Sequence, residues 1–306
     1  MARDPGDLFQ VSPEAAELGD DLVMLYHLDG FIDAGGAGRQ VAAHLLATLE
    51  HTEVARFDVD SLIDYRSRRP AMIFTKDHWE SFEVPELAVH LLRDPAGTPF
   101  LLLNGLEPDR EWETFASAVL QLSATLNVRL VANFHGIPMG VPHTRPLGVT
   151  GHATKPDLLD GYQPLVDRLQ VPGSATALIE LRMGEADRAA VGFAVHVPHY
   201  LAHAAYPAAA VALLSAVQRA TGLNLPSDEL REAAQATDAE IARQVADSPD
   251  VTEVVRSLEE QYDAFAAERH DLLGGQPENM PTAEELGAQF ERFLAEQQFG
   301  GETPDS

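Results

Sequence analysis

Through about Thr221, short apolar runs of strand length alternate with stretches of helical period. The run Asp21–Leu28 (DLVMLYHL) has the length and content of a buried strand. Six further runs read the same way: Glu53–Asp60, Ala71–Phe74, Leu87–Leu92, Pro99–Gly105, Val128–Gly136 and Ala189–Val197. Helical patterns lie between them at Ala34–Glu50, Asp109–Leu126, Ser174–Met183 and Pro207–Thr221. Asp109 and Ser174 stand where helix caps are expected. Strands alternating with helices predict a sheet covered on both faces. The expected fold is a three-layer α/β/α sandwich with a mixed sheet.

Beyond Gly222 the strand signals stop. Leu230, Ala234, Ile241 and Val245 form one apolar stripe, on a helix capped by Ser227. The turn DSPD follows, with Ser248 as cap and Pro249 in the first helical position. Val251, Val255, Leu258, Tyr262 and Phe265 then recur at spacings suited to an antiparallel helical neighbour. Residues 226–269 therefore read as a helical hairpin. A last helix is expected from the capping box Thr282/Glu285 to about Gln298. The domains expected are an α/β/α core, 1–222, and a helical extension, 223–306.

Composition narrows the function classes. The net charge of −27 repels phosphate backbones and anionic lipid, so neither nucleic acid nor membrane is an expected partner. From Leu223 onward 20 acids stand against 5 arginines, a net of −15. Cysteine is absent, which removes disulfides, thiolate metal sites and cysteine nucleophiles. No apolar run approaches the roughly 20 residues of a membrane span, and MARDPGDLFQ lacks a signal-peptide core. A cytoplasmic location is the expectation.

Four stretches carry candidate chemistry. The first, GFIDAGGAGRQ from Gly30, looks like a nucleotide loop. Its glycines fail the G-x-G-x-x-G spacing, and Arg39-Gln40 stands where a P-loop needs Lys-Ser/Thr. Asp33 would repel phosphate but suits a helix cap, with small residues letting helix and strand pack closely. Phe31 and Ile32 are candidates for a pocket wall or subunit contact. The second stretch holds Arg66, Arg68, Arg69 and Lys76. They form either an anion pocket or ion pairs with Asp64, Asp77, Glu80 and Glu83. The third is a set of six histidines between His135 and His203, with His135, His143, His196 and His199 beside Arg145 at strand ends and loops. There is no HExxH, and no metal site is expected. The fourth is Ser174, a cap or a nucleophile; the G-x-S-x-G elbow is absent.

Taken in order, GFIDAGGAG, RPAMIFTKDHWESFE, HGIPMGVPHTRP, VPGSA and VGFAVHVPHYLAHAAYP resemble the bacterial branch of the proteasome assembly chaperone 2 family. The resemblance implies an α/β/α domain shaped like nucleoside phosphorylases, with helices appended at the carboxyl end. It also implies self-association, a trimer among the forms, and proteasome subunits as candidate partners. Some relatives dock through a terminal hydrophobic–tyrosine–any tripeptide; Pro304-Asp305-Ser306 here closes that route. The family has also been linked to ATP-grasp carboxylate–amine ligases. Two lysines, Lys76 and Lys155, and the lack of a fitting loop give that activity little support. The expected function is non-catalytic, assembly-chaperone-like scaffolding, with no cofactor and no catalytic residue assigned. The alternative is a ligand-binding protein or enzyme whose cleft draws on Asp33, Arg69, Lys76, His135, His143, Arg145, Ser174, His196 and His199.

Overall fold

A computed structural model describes residues 3–159, 161–162 and 168–272. In chain order its regular elements are β1 (Phe9–Val11), β2 (Leu22–Asp29), α1 (Ala37–Thr48), β3 (His51–Phe57) and α2 (Val59–Leu62). Next come β4 (Met72–Thr75), β5 (His78–Phe82), β6 (Leu87–Arg93), β7 (Pro99–Leu106), α3 (Trp112–Thr125), β8 (Val128–Met139) and β9 (Val149–Ala153). The rest are α4 (Ala175–Glu185), β10 (Ala190–Pro198), α5 (Pro207–Thr221), α6 (Asp228–Ala246) and α7 (Pro249–Leu272). Eight strands form one mixed sheet in the order β1-β3-β6-β7-β2-β8-β10-β9. The central four, β7, β2, β8 and β10, run parallel. The flanking pairs are antiparallel.

Central strands are apolar on both faces because both faces are covered. From β2, Val23 and Leu25 point to the α1/α5 layer, while Leu22, Met24 and Tyr26 point to α3 and α4. The two resulting cores are those of a three-layer α/β/α sandwich. Leu230 extends the α1/α5 core into α6, so the first carboxyl-terminal helix is seated on α5. On α7, Val255 and Leu258 are buried as the seam requires, and Val251 is exposed.

Several local expectations change. Ala71–Phe74 is not a buried strand: β4 is exposed and pairs only with β5, outside the main sheet. An apolar run of four carries the same sequence signal whether it faces a core or a partner. Asp109 does not cap α3, whose N-cap is Glu111 in the left-handed region at φ 57°. Asp109 instead accepts the Asp64 amide at 2.7 Å and pairs with Arg68 at 3.1 Å. Ser227 makes no capping bond; its hydroxyl accepts from Arg231 Nε at 3.1 Å. Ser174 does cap α4, taking the Ala177 amide at 3.1 Å. The helix expected over 282–298 lies outside the described residues.

Candidate functional site

The carboxyl edge of the parallel strands is where an open α/β sheet builds sites, at the point where neighbouring connections leave for opposite faces. Here that point lies at the end of β2. The chain leaves β2 for α1 on one face and leaves its parallel neighbour β7 for α3 on the other. Asp33 occupies the junction. Its Oδ1 accepts the Gly38 amide at 2.8 Å and the Gly136 amide at 2.9 Å, and its Oδ2 accepts the Arg39 amide at 3.0 Å. One carboxylate thus caps α1 and ties it to the end of β8.

The glycines serve this approach. Gly35 and Gly36, at φ 69° and 56°, are the left-handed residues that turn the loop into α1. At Gly38 a Cβ would stand 2.6 Å from His27 Nδ1 and 2.7 Å from the Phe134 carbonyl oxygen. Between this loop and residues 202–205 lies a crevice of about 410 Å³, walled by Phe31, Ile32, Asp33, Gln40, Ala202 and His203.

A second helix start on the same edge is filled in the same way. Buried Glu107, just past β7, accepts the Ala175 amide at the head of α4 at 2.7 Å. Burial raises the Glu107 carboxyl above the ordinary range, and the Ala175 hydrogen bond and Arg68 pull it back. Helix N-termini attract anions. At both of these the chain's own carboxylate takes the place a phosphate would need.

The remaining candidates fall into separate groups. His135 and His196 lie on the α4 side of the sheet, where the His196 ring meets the Thr150 hydroxyl at 2.8 Å. Burial, then the His152 charge, lowers His135 to about 4, so it is neutral near neutrality. Beside them runs a network that the sequence did not disclose. Buried Asn133 donates to Tyr26 Oη at 3.1 Å and to Glu180 Oε2 at 2.8 Å, while Glu180 Oε1 meets His152 Nδ1 at 2.8 Å. Tyr26, Asn133, Gly192 and His152 are register partners across four strands. Gly192 leaves the room the His152 ring occupies, since a Cβ there would stand 2.0 Å from its Cε1.

His143 and Arg145 sit elsewhere, under α7. The Tyr200 hydroxyl takes the His143 amide at 2.9 Å and meets its Nδ1 at 2.7 Å, and burial lowers the His143 ring below the usual histidine range. Arg145 grips Asp263 at 2.7 and 2.8 Å and Glu259 at 3.2 Å, and Tyr262 donates to the Pro146 carbonyl at 3.0 Å. His199 is exposed against Tyr200. Arg69 and Lys76 are exposed at the β4–β5 hairpin, with Lys76 in its turn at φ 56°. Arg68 is the member of the basic stretch drawn inward, by Asp109 and by the Asp29 carbonyl at 3.2 Å. The nine candidates are thus spread over several places rather than one cleft. Among the described residues, no group of three or more His, Asp or Glu side chains is placed to hold a metal ion. No described helix is long and apolar enough to cross a membrane.

Among the described residues, six of the exposed large apolar side chains fall in or just after the hairpin. Met72, Ile73, Phe74, Trp79, Phe82 and Val84 are each between 45% and 63% exposed, and Phe74 and Trp79 meet edge to face at 5.1 Å.

Known structures share this fold. Rv2714 of Mycobacterium tuberculosis, a protein of unknown function, is 46% identical, with a TM-score of 0.84 over 97% of this chain and 98% of its own. Rv2125 of the same organism, described as a proteasome-assembly chaperone homologue, is 28% identical, with a TM-score of 0.70 over 76% of this chain and 100% of its own. PbaB of Pyrococcus furiosus, an archaeal proteasome activator, shares the fold at 18% identity and a TM-score of 0.58, over 78% of this chain and 98% of its own. No curated protein matches the sequence. The PAC2 family model matches residues 27–245, from His27 at the switch point into α6, and the chain belongs to the PAC2 family.

Proposed function

We propose that this protein is an assembly-chaperone-like scaffold that works by holding polypeptide partners, its own copies among them. The observation that carries the reading is the β4–β5 hairpin. Five large apolar side chains on a two-stranded ribbon outside the main sheet, and Val84 just past it, stand out from a chain of net charge −27. An isolated ribbon of this kind is marginal in water, and a contiguous exposed apolar patch marks an interaction surface. The carboxylates filling both helix starts support a role without phosphate chemistry. A partner among proteasome subunits rests on likeness to Rv2125, the chaperone homologue.

Light scattering on the purified chain tests self-association. The wild type is expected at a multiple of 33.2 kDa. A Phe74→Ser/Trp79→Ser variant is expected to fold normally and run as a monomer. A monomeric wild type at micromolar concentration defeats the self-association part. Sedimentation with purified outer-ring proteasome subunits from the same source tests the other part, and absence of a complex removes that partner.

A further inference from the structure

His27 is buried beneath Asp33, stacked on Phe134 with ring centroids 6.1 Å apart. Two acceptors flank its ring. Nδ1 lies against Gly38 beside the Phe134 carbonyl, which hydrogen-bonds the ring. Nε2 is buried with no partner and lies 3.9 Å from Asp33 Oδ2. A neutral imidazole has one N–H and can serve only one of two acceptors; an imidazolium serves both. An unpaired buried nitrogen facing a carboxylate is costly, and a proton on it converts the cost into an ion pair.

We infer that His27 and Asp33 form a proton-operated latch at the switch point: protonated at Nε2, His27 donates to Asp33 Oδ2 and draws it from the Arg39 amide, resetting the loop that walls the crevice. Asp33 joins the head of α1 to Gly136 of β8 by hydrogen bonds, so its movement is felt by both. Phe31, Ile32 and Ala34 share its loop and line the crevice. The charged groups acting on His27 are Asp33 and Asp29, which favour the proton, and Arg39 on α1, which opposes it; His135, on the other face of the sheet, opposes it as well when charged. Burial opposes it most, which places the event below the ordinary histidine range.

Long-range proton–nitrogen correlation spectra of the full-length chain, labelled with 15N, test the latch. At neutral pH His27 is expected as one neutral tautomer with Nδ1 protonated. On acidification Nε2 gains a proton, and the backbone amides of Gly38, Arg39 and Gly136 shift with the same midpoint. In His27→Gln those amides stay flat over the same range. In Asp33→Asn the His27 midpoint falls by about one unit, a tenfold loss of proton affinity, and the shared titration disappears. The latch is overturned if His27 protonates while the three amides stay still, or if it stays neutral until the protein unfolds. Should either variant fail to fold, the wild-type titration alone decides.

Discussion

At the scale of single residues, Asp33 is the position on which the carboxyl edge depends. Three backbone amides converge on its carboxylate, and its side chain is almost wholly buried. Asp33→Ala leaves those amides unpaired, at about 1–3 kcal/mol for each one kept from water, so urea unfolding is expected to show a loss of at least that size. Asp33→Asn keeps an acceptor and is expected to lose less. Gly38→Ala tests the packing reading of the glycine loop. Its methyl would meet His27 and a backbone carbonyl, and a cost of about 1–3 kcal/mol is expected. Burial also holds His27, His90, His135 and His143 below their unfolded proton affinity. Stability from these rings is complete above the unfolded histidine range. It is lost as pH falls from there toward the folded values, about 4 for His135, because the unfolded chain takes up protons first. The melting temperature is therefore expected to fall between about pH 6.5 and pH 4. His135→Asn is expected to flatten part of that slope.

At the scale of elements, what could be read in advance was what buries apolar surface. Strands covered on both sides announce themselves as short unbroken apolar runs, and each of the four central strands overlaps a run named from sequence, continuing one to three residues past its carboxyl end. The strands missed were β1, β5 and β9, which sit at edges or in the hairpin. HWESF and VTGHA lack both an apolar run and a clean alternation. The Ser174 cap and the Asp33 cap were legible because capping is local. The Asn133–Glu180–His152 network was not, because its partners are 47 and 28 residues apart and meet only once α4 lies on the sheet. Arg145 shows the same limit. Nothing near it in sequence foretells that Asp263 and Glu259 arrive from α7. These ion pairs and the Tyr262 bond are polar contacts of α7 with the loop after β8. Arg145→Ala is accordingly expected to speed amide exchange over residues 249–267, with the eight-stranded sheet unchanged. Equal exchange in variant and wild type would show that α7 is held without Arg145.

At the scale of the whole molecule, the charge and the hairpin pull association in opposite directions. Two bodies of net charge −27 repel at a distance, while six exposed apolar side chains on each favour contact. Salt separates the two effects. The Debye length falls from about 30 Å at 0.01 M to about 10 Å at 0.1 M ionic strength, so added salt removes repulsion between the bodies. It leaves apolar burial intact. If the hairpin carries self-association, the dissociation constant measured by sedimentation is expected to tighten as sodium chloride rises from 20 to about 300 mM, most of the change coming below 100 mM. Phe74→Ser/Trp79→Ser is expected to remain a monomer at every salt concentration. An interface held by ion pairs, such as Arg69 and Lys76 of one copy against acids of another, would weaken along the same series. The sign of the salt dependence therefore distinguishes an apolar contact from an electrostatic one without knowledge of the subunit number.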